Sequence, residues 1–467
     1  MARSKKSAIK NLSNAELLSY IINQDPVLSA NLDLPVQGQS IVPIGKLIMG
    51  NPVYRNAFIN TINVIGVNVI KRNVWDNPWD FTKRGSMGFG QHVRELINDL
   101  CNVYDYNSKD NDEYRFLKNV VPNVFNYIHE INFQKFYQTT TSDSQLAMAF
   151  TSEDGLYDLI ADTIGMLYES LKYDEWLVDK YQLCRRIVDG TVTVKTINTD
   201  ADPRYIVAQM KSATNKMTFR SPNYNPAGIR RANKFEDLIT IMDSDFEGIM
   251  TTGVLATSYF KDEAELRTSL RLIDSFSESD EARLTELLGD AYTPFTDTEK
   301  TQLASIPAVV ISREWFMDYD YLLDSASESK ATEFYNPTTL KNNHFLHKWG
   351  IKSTSPFEQA LVFVADYTPS VTSVTVSPST GTVIQGQSLQ MSATVVTSYF
   401  ANKAVTWSVV DSTTEEPVEG VTIDETGLLK VGADVANDLE FTVTATSVYD
   451  SSVTGTATIA TPVTPGP

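Results

Sequence analysis

Cysteine is scarce. The 467 residues hold two, Cys101 and Cys184. Both have apolar neighbours, so both are expected to be free, buried thiols. Two thiols exclude a metal site built from cysteine clusters, and they suit a reducing compartment. Histidine is nearly as rare, at four. His344 and His347 have a ligand-like spacing, but a strand would turn them to opposite faces, so ordinary hydrogen bonding is expected. No run approaches the roughly 20 apolar residues of a membrane span. The basic start (Arg3, Lys5, Lys6, Lys10) lacks the apolar run of a secretion signal. The chain is therefore expected to fold in the cytosol of the cell that makes it. An excess of positive charge is also missing: 39 Lys and Arg face 58 Asp and Glu, a net charge of -19. That argues against coating nucleic acid by phosphate neutralisation.

Catalytic motifs are absent too. There is no G-x-S-x-G elbow, no H-E-x-x-H pair, and no Lys-Ser/Thr ending on the glycine-rich Gly85–Gly90 stretch, which reads as a turn. Acid pairs such as Asp318 and Asp320 read as solvated faces. No catalytic residue, cofactor or metal is expected.

What is present has an order. Up to about Gly50, Pro26, Pro35, Gly38, Pro43 and Gly45 interrupt the chain repeatedly. This predicts an arm with little core of its own. Phe58, Ile59, Ile62 and Ile65 predict a helix ending at Gly66, with a strand starting at Val67. From Lys71 to about Leu100, Trp75, Trp79 and Phe81 alternate with polar groups. This predicts a long two-stranded projection, and an isolated hairpin is marginal in water without a partner surface. Trp75, Trp79 and Phe81 are the candidate contacts to a neighbouring subunit, with Lys83 and Arg84 pairing charges across the joint.

Leu156, Leu159, Ile160, Ile164, Leu167 and Leu171 share one helical stripe. It opens near Ser152, runs on through Trp176, Leu177, Tyr181 and Cys184, and stops at Gly190. Strands are expected at Thr191–Ile197, Leu238–Met242, Ile306–Ile311, Phe345–Trp349 and Ala360–Ala365. Helices are expected at Tyr205–Met217, near Glu263–Leu266 and at Glu281–Leu288. After Asp366 the composition turns to Ser, Thr, Val and Gly. Short alternating segments follow at Val374–Val376, Leu389–Val395, Val405–Val409, Val421–Ile423, Leu428–Val431, Phe441–Ala445 and Gly455–Ile459. They predict an antiparallel sandwich with Trp407 in its core. The tail from about residue 462 is expected to fray.

Several motifs, in order, resemble the major head protein of phi29-like short-tailed phages. They are Asn77-Pro78 with Phe81-Thr82-Lys83-Arg84-Gly85, Val121-Pro122-Asn123-Val124 with His129-Glu130 and Phe136-Tyr137, Ala149-Phe150, Arg313-Glu314-Trp315-Phe316-Met317 with Tyr319-Asp320, and His347-Lys348-Trp349. Downstream, Val374–Pro378, Gly386–Gln390, Val405–Ser408, Thr426–Leu429 and Val443–Ala445 resemble the bacterial immunoglobulin-like domain of group 2.

The first resemblance implies an α+β shell subunit of the Hong Kong 97 type, a structural protein and not an enzyme. Residues 1–50 would be its N-terminal arm and 51–366 its shell domain. Within that domain the extended loop would span about 71–100, the spine helix about 152–189 and the axial domain about 201–303. The Ig-like sandwich would take 367–461 and face outward. The implied partners are further copies of the chain, a scaffolding protein and a portal. The shell would enclose double-stranded DNA without sequence-specific binding, and would be assembled in the host bacterial cytoplasm. Because the sandwich has a core of its own, ending the chain near Tyr367 is expected to spare shell formation. A surface adhesion protein with an Ig-like binding module is the alternative, and a phage carbohydrate enzyme a third reading.

Overall fold

The computed structural model describes residues 14–36, 40–69, 75, 77–87, 92–101, 124–151, 159, 163, 165–198, 203–248, 270–322, 329–339 and 341–462. The expected helix near Glu263–Leu266, the N-cap at Ser152 and the glycine-rich turn beyond Met87 lie outside them.

The N-terminal segment departs from the expected thin arm. Four helices, α1 (Asn14–Gln24), α2 (Pro26–Asn31), α3 (Val42–Gly50) and α4 (Pro52–Val69), form a layer. The prolines begin helices here. Pro26 follows Asp25, whose Oδ1 accepts from the backbone N–H of Val27 and Leu28 at 2.7 and 3.0 Å, and a proline in the first turn loses no hydrogen bond. Leu17, Leu18, Ile21 and Ile22 recur on one face of α1, and all are buried with Leu28, Ile48 and Phe58. Helix α4 also runs through Gly66 to Val69, where a strand was expected. An isolated glycine costs about 1 kcal/mol in a helix, which does not end one. At Gly45 a β-carbon would stand 2.6 Å from the Phe150 ring, so glycine lets α3 approach α5 (Asp143–Ala149) closely.

The body behind this layer has two sheets. In the first, β11 (Lys341–Ile351) lies antiparallel between β4 (Phe133–Ser142) and β10 (Ser329–Asn336). Its far end meets β9 (Asp318–Tyr321), which pairs in parallel with β1 (Lys83–Met87). The second runs β5-β12-β8-β6-β7, with β5 at Thr193–Ile197, β6 at Leu238–Asp243, β7 at Leu270–Ile273, β8 at Ala308–Ser312 and β12 at Ala360–Ala365. Every residue of β8 is buried. Ala308 and Val310 face Ile206 and Met210 of helix α7 (Pro203–Lys216). Val309 and Ile311 join the other core, with Leu284 and Leu287 of α8 (Glu281–Leu288). The period of two along a strand produces this division.

The long helix α6 (Met166–Val188) joins the two sheets. Gly190 ends it at φ +70°, with its N–H bonded to Ile187 O and that of Thr191 to Arg186 O, the left-handed ending that suits glycine.

The chain beyond Asp366 is all strand, and each expected segment forms with one change. Leu389–Val395 is two strands, β15 (Ser388–Gln390) and β16 (Ser392–Ser398). Between them Met391 is buried and donates its N–H to Gly427 O at 2.8 Å, so the chain crosses from pairing with β19 (Leu428–Val431) to pairing with β13 (Ser370–Ser377). A four-stranded sheet of β14 (Thr380–Thr382), β21 (Thr454–Ala460), β20 (Glu440–Ser447) and β17 (Val405–Asp411) completes the unit. Phe441, Val443, Leu429 and Ile459 are its buried core; Trp407 packs against that core half-buried.

This unit has its own core, as expected, and it also packs on the body. Phe400 leaves it and belongs to the body's buried cluster, together with Ile187 and Val188 of α6. Tyr399 stacks on Tyr367, ring centres 4.1 Å apart. Lys403 Nζ donates to Val188 O at 3.0 Å, placing a cation where the helix dipole is negative. A β-carbon on Gly190 would meet Ala401 O at 2.6 Å.

Candidate assembly interface

The segment after Asn77 was expected to project, and the structure corrects this. Asn77 Oδ1 accepts the Trp79 N–H at 2.8 Å, a local turn that sends the indole inward. Trp79 is fully buried beside Phe316, and its Nε1 donates to Leu272 O at 3.2 Å. Phe81 is half-buried against both rings. Lys83 pairs with Glu175 at 2.9 Å, and Arg84 reaches Glu314 at 3.5 Å. Trp79 and Phe81 pack within their own subunit, and Lys83 and Arg84 pair charges within it, though Arg84 Nη1 is left without a partner among the described residues. Of the five, Trp75 alone is an exposed ring, 44% accessible and edge-on to Trp176. Trp79→Phe should therefore cost the isolated subunit about 1 to 2 kcal/mol, from one lost hydrogen bond and a small void, with assembly retained. Urea unfolding beside an assembly assay checks this; unchanged unfolding with lost assembly would restore the contact role.

The projection that does exist is β2 (His92–Asn98) paired with β3 (Val124–Glu130). The expected hairpin within 71–100 thus takes its second arm from beyond residue 123. Its inner face is tied to the body. His129 is within hydrogen-bonding distance of Ser353 Oγ (2.9 Å), Ser355 Oγ donates to Glu95 at 2.8 Å, and Arg230 pairs with Asp99 at 3.1 Å. The opposite face carries Leu96, Val124 and Ile128, each about half exposed. A second exposed apolar area lies on the first sheet. Its inner face packs Tyr137 and Leu346 under the helical layer. Its outer face shows Phe136, Phe334 and Trp349, with the Phe345 and His347 rings between them.

Under the sheet lies a cluster of charge that sequence reasoning missed. Asp318 and Asp320, read as solvated, are buried. Lys352 Nζ lies 2.8 Å from both Asp179 and Asp318. Lys348 Nζ lies 2.8 Å from Asp320 and 3.5 Å from Glu175. Thr82 Oγ1 donates to Asp179 at 2.9 Å. Burial alone would raise Glu175, but Lys352, Lys83 and Lys348 hold its carboxyl at about 2. Asp179 goes the other way, pushed up by burial and by the Asp318 carboxylate. The available signal was spacing: Glu175 and Asp179 are four apart on a helix, and Asp318 and Asp320 two apart on a strand.

The two histidines of β11 do face opposite ways. His347 is on the outer face near Thr332, while His344 is buried, 2.7 Å from Thr141 Oγ1. Burial lowers the His344 imidazole from 6.5 to about 4. The unfolded chain then takes up this proton first. Stability from the neutral ring is complete above pH 6.5 and is lost as pH falls toward 4, about 3 kcal/mol in all. Thermal unfolding across that range should show the loss, and His344→Gln should flatten it. Cys184 is buried as expected; Cys101 is exposed, against expectation, because it follows the projecting strand. Among the described residues no helix is long and apolar enough to cross a membrane.

A family model described as "Phi29-like phage major capsid protein" matches residues 33–364. The chain belongs to this family. The major capsid protein of Bacillus phage PZA is 28% identical over 448 residues, covering 94% of this chain and 88% of its own. That of Bacillus phage B103 is 26% identical over 454 residues, with the same shares. At 94% these alignments take in most of the C-terminal unit. Among solved structures, the capsid of Staphylococcus phage Andhra aligns at 12% identity and a TM-score of 0.48, covering 63% of this chain and 85% of the other. As a phi29-like major capsid protein the chain is a structural protein that builds the phage head shell from many copies of itself, and the adhesion reading gives way.

Proposed function

We propose that the shell closes through the β2–β3 ribbon, laid by its outer face over a neighbouring copy, with Trp75 as a further contact. The observation that carries this is the ribbon's asymmetry. One face is tied to the body by His129, Glu95 and Asp99; on the other Leu96, Val124 and Ile128 stand about half exposed among the polar residues His92, Arg94, Asn98, Asn126 and Glu130. A two-stranded ribbon is marginal in water by itself, and the half-exposed apolar side chains on its outer face gain from a covering surface. A lattice of such contacts needs no single tight one.

In this reading the body is the shell domain of a Hong Kong 97-type subunit and α6 its spine helix, while the C-terminal unit is an Ig-like sandwich facing outward. Net charge of -19 keeps the lining from gripping the enclosed double-stranded DNA, so packing is not sequence-specific. A scaffolding protein and a portal complete the head in the host bacterial cytoplasm. Leu96→Asp combined with Ile128→Asp should leave subunit unfolding within about 0.5 kcal/mol of the parent, as for surface positions, and abolish closed shells in electron micrographs. Normal shells from the double variant would remove the ribbon from the lattice.

A further inference from the structure

At the root of the ribbon a cleft of about 510 Å³ opens between β3, the C-terminal half of α6 and the 352–354 segment. Its size is that of pockets that enclose a small ligand or a short stretch of chain. Most of its charges are already answered. Lys352 lies between Asp179 and Asp318, and Arg185 pairs with Asp189 at 2.9 Å. Arg186 is different. It uses Nε, donated to Thr354 Oγ1 at 3.0 Å, and its guanidinium meets no carboxylate among the described residues. One helical turn before it, Gln182 gives its Nε2 to Lys352 O at 2.8 Å, which leaves Oε1 buried with no partner. A buried acceptor left unpaired costs about 1 to 3 kcal/mol. On the ribbon wall the Glu130 carboxylate is likewise unengaged among the described residues. The cleft thus offers a cation, an orphan acceptor and an anion, the complement of a polypeptide stretch with acidic and basic side chains and free backbone N–H groups.

We propose that this cleft is a socket for a short mixed-charge stretch of a second copy of this chain, seated by a carboxylate on Arg186 and a backbone N–H on Gln182 Oε1. The inference rests on the ribbon-covered shell described above. Ile128 belongs both to the ribbon's exposed outer face and to the wall of the cleft, so the copy that covers the ribbon arrives at the cleft mouth. Each neighbour is held near the socket at high effective concentration by its other contacts, so a modest site suffices.

The test uses the full chain with a photo-cross-linking benzoylphenylalanine at Thr293, an exposed residue of the cleft wall. Irradiated shells should yield a cross-linked dimer that free subunits do not, and mass spectrometry should place the adduct on a peptide of a second copy containing Asp or Glu. Arg186→Gln should lower the dimer yield at least fivefold, and Arg186→Lys should restore part of it. Adducts confined to one chain, or made to a different protein, would overturn the socket even where micrographs show intact shells. Normal shells from the Leu96→Asp, Ile128→Asp double variant would overturn the ribbon reading, and the socket with it. The parent adduct decides the question should an Arg186 variant fail to fold.

Discussion

A chain ended at Asp366 should unfold at markedly lower urea than the full chain, even though the removed unit has its own core. The loss is at the junction. Phe400 fills a site in the body's core beside the end of α6, and removing a buried phenylalanine ring costs about 3 to 5 kcal/mol. The truncation also frees the α6 carbonyl of Val188 from Lys403. Tyr399 and Phe400 both hold positive φ, at +50° and +65°, a conformation that persists only where packing compensates. Phe400→Ala in the full chain separates the two contributions. It should cost most of the same energy while the C-terminal strands stay folded, which circular dichroism with urea titration can resolve. A truncated chain as stable as the parent, assembling normally, would show that the junction contributes nothing.

Lys352→Met should be comparably damaging. The ammonium is the cation between Asp179 and Asp318, both buried. Removing one partner of a buried ion pair strands the other charge, at about 3 to 5 kcal/mol. Methionine nearly conserves the volume, so the loss reads charge and not packing. Neutralising the two acids in the same chain, with Asp179→Asn and Asp318→Asn, should recover much of it, because amides tolerate an apolar neighbour better than carboxylates do. Thermal unfolding of the single and triple variants measures this. Equal stability of Lys352→Met and the parent would mean that the cluster is wetter than its geometry, and that α6 is not fastened to the sheet by charge.

Local pattern was readable where one face of an element meets one environment. The alternation in Phe441–Ala445 and Gly455–Ile459 became β20 and β21, and the fully apolar Val309–Ile311 became a strand buried on both faces. The stripe through Leu167, Leu171, Leu177 and Cys184 lies on α6. Punctuation misled where its meaning depends on context. Pro26 and Pro43 start helices in a layer that was expected to have little core of its own, and Gly66 lies inside one. Trp79 was read outward for a related reason. An aromatic residue among turn signals looks the same whether it points to a neighbour or to its own core, and only Leu272 and Phe316, some two hundred residues away, turn Trp79 inward.

Periodicity, breakers and the ordered motifs determined by themselves the α+β body, the change to strands after Asp366 and membership of a capsid family, because each is a property of neighbours along the chain. The tertiary structure alone decided that Phe400 locks the C-terminal unit to α6, that β2 pairs with β3, and that Asp179, Asp318 and Lys352 share one buried site. Those contacts join residues up to about two hundred positions apart, and their energy exists only once the chain between them has folded.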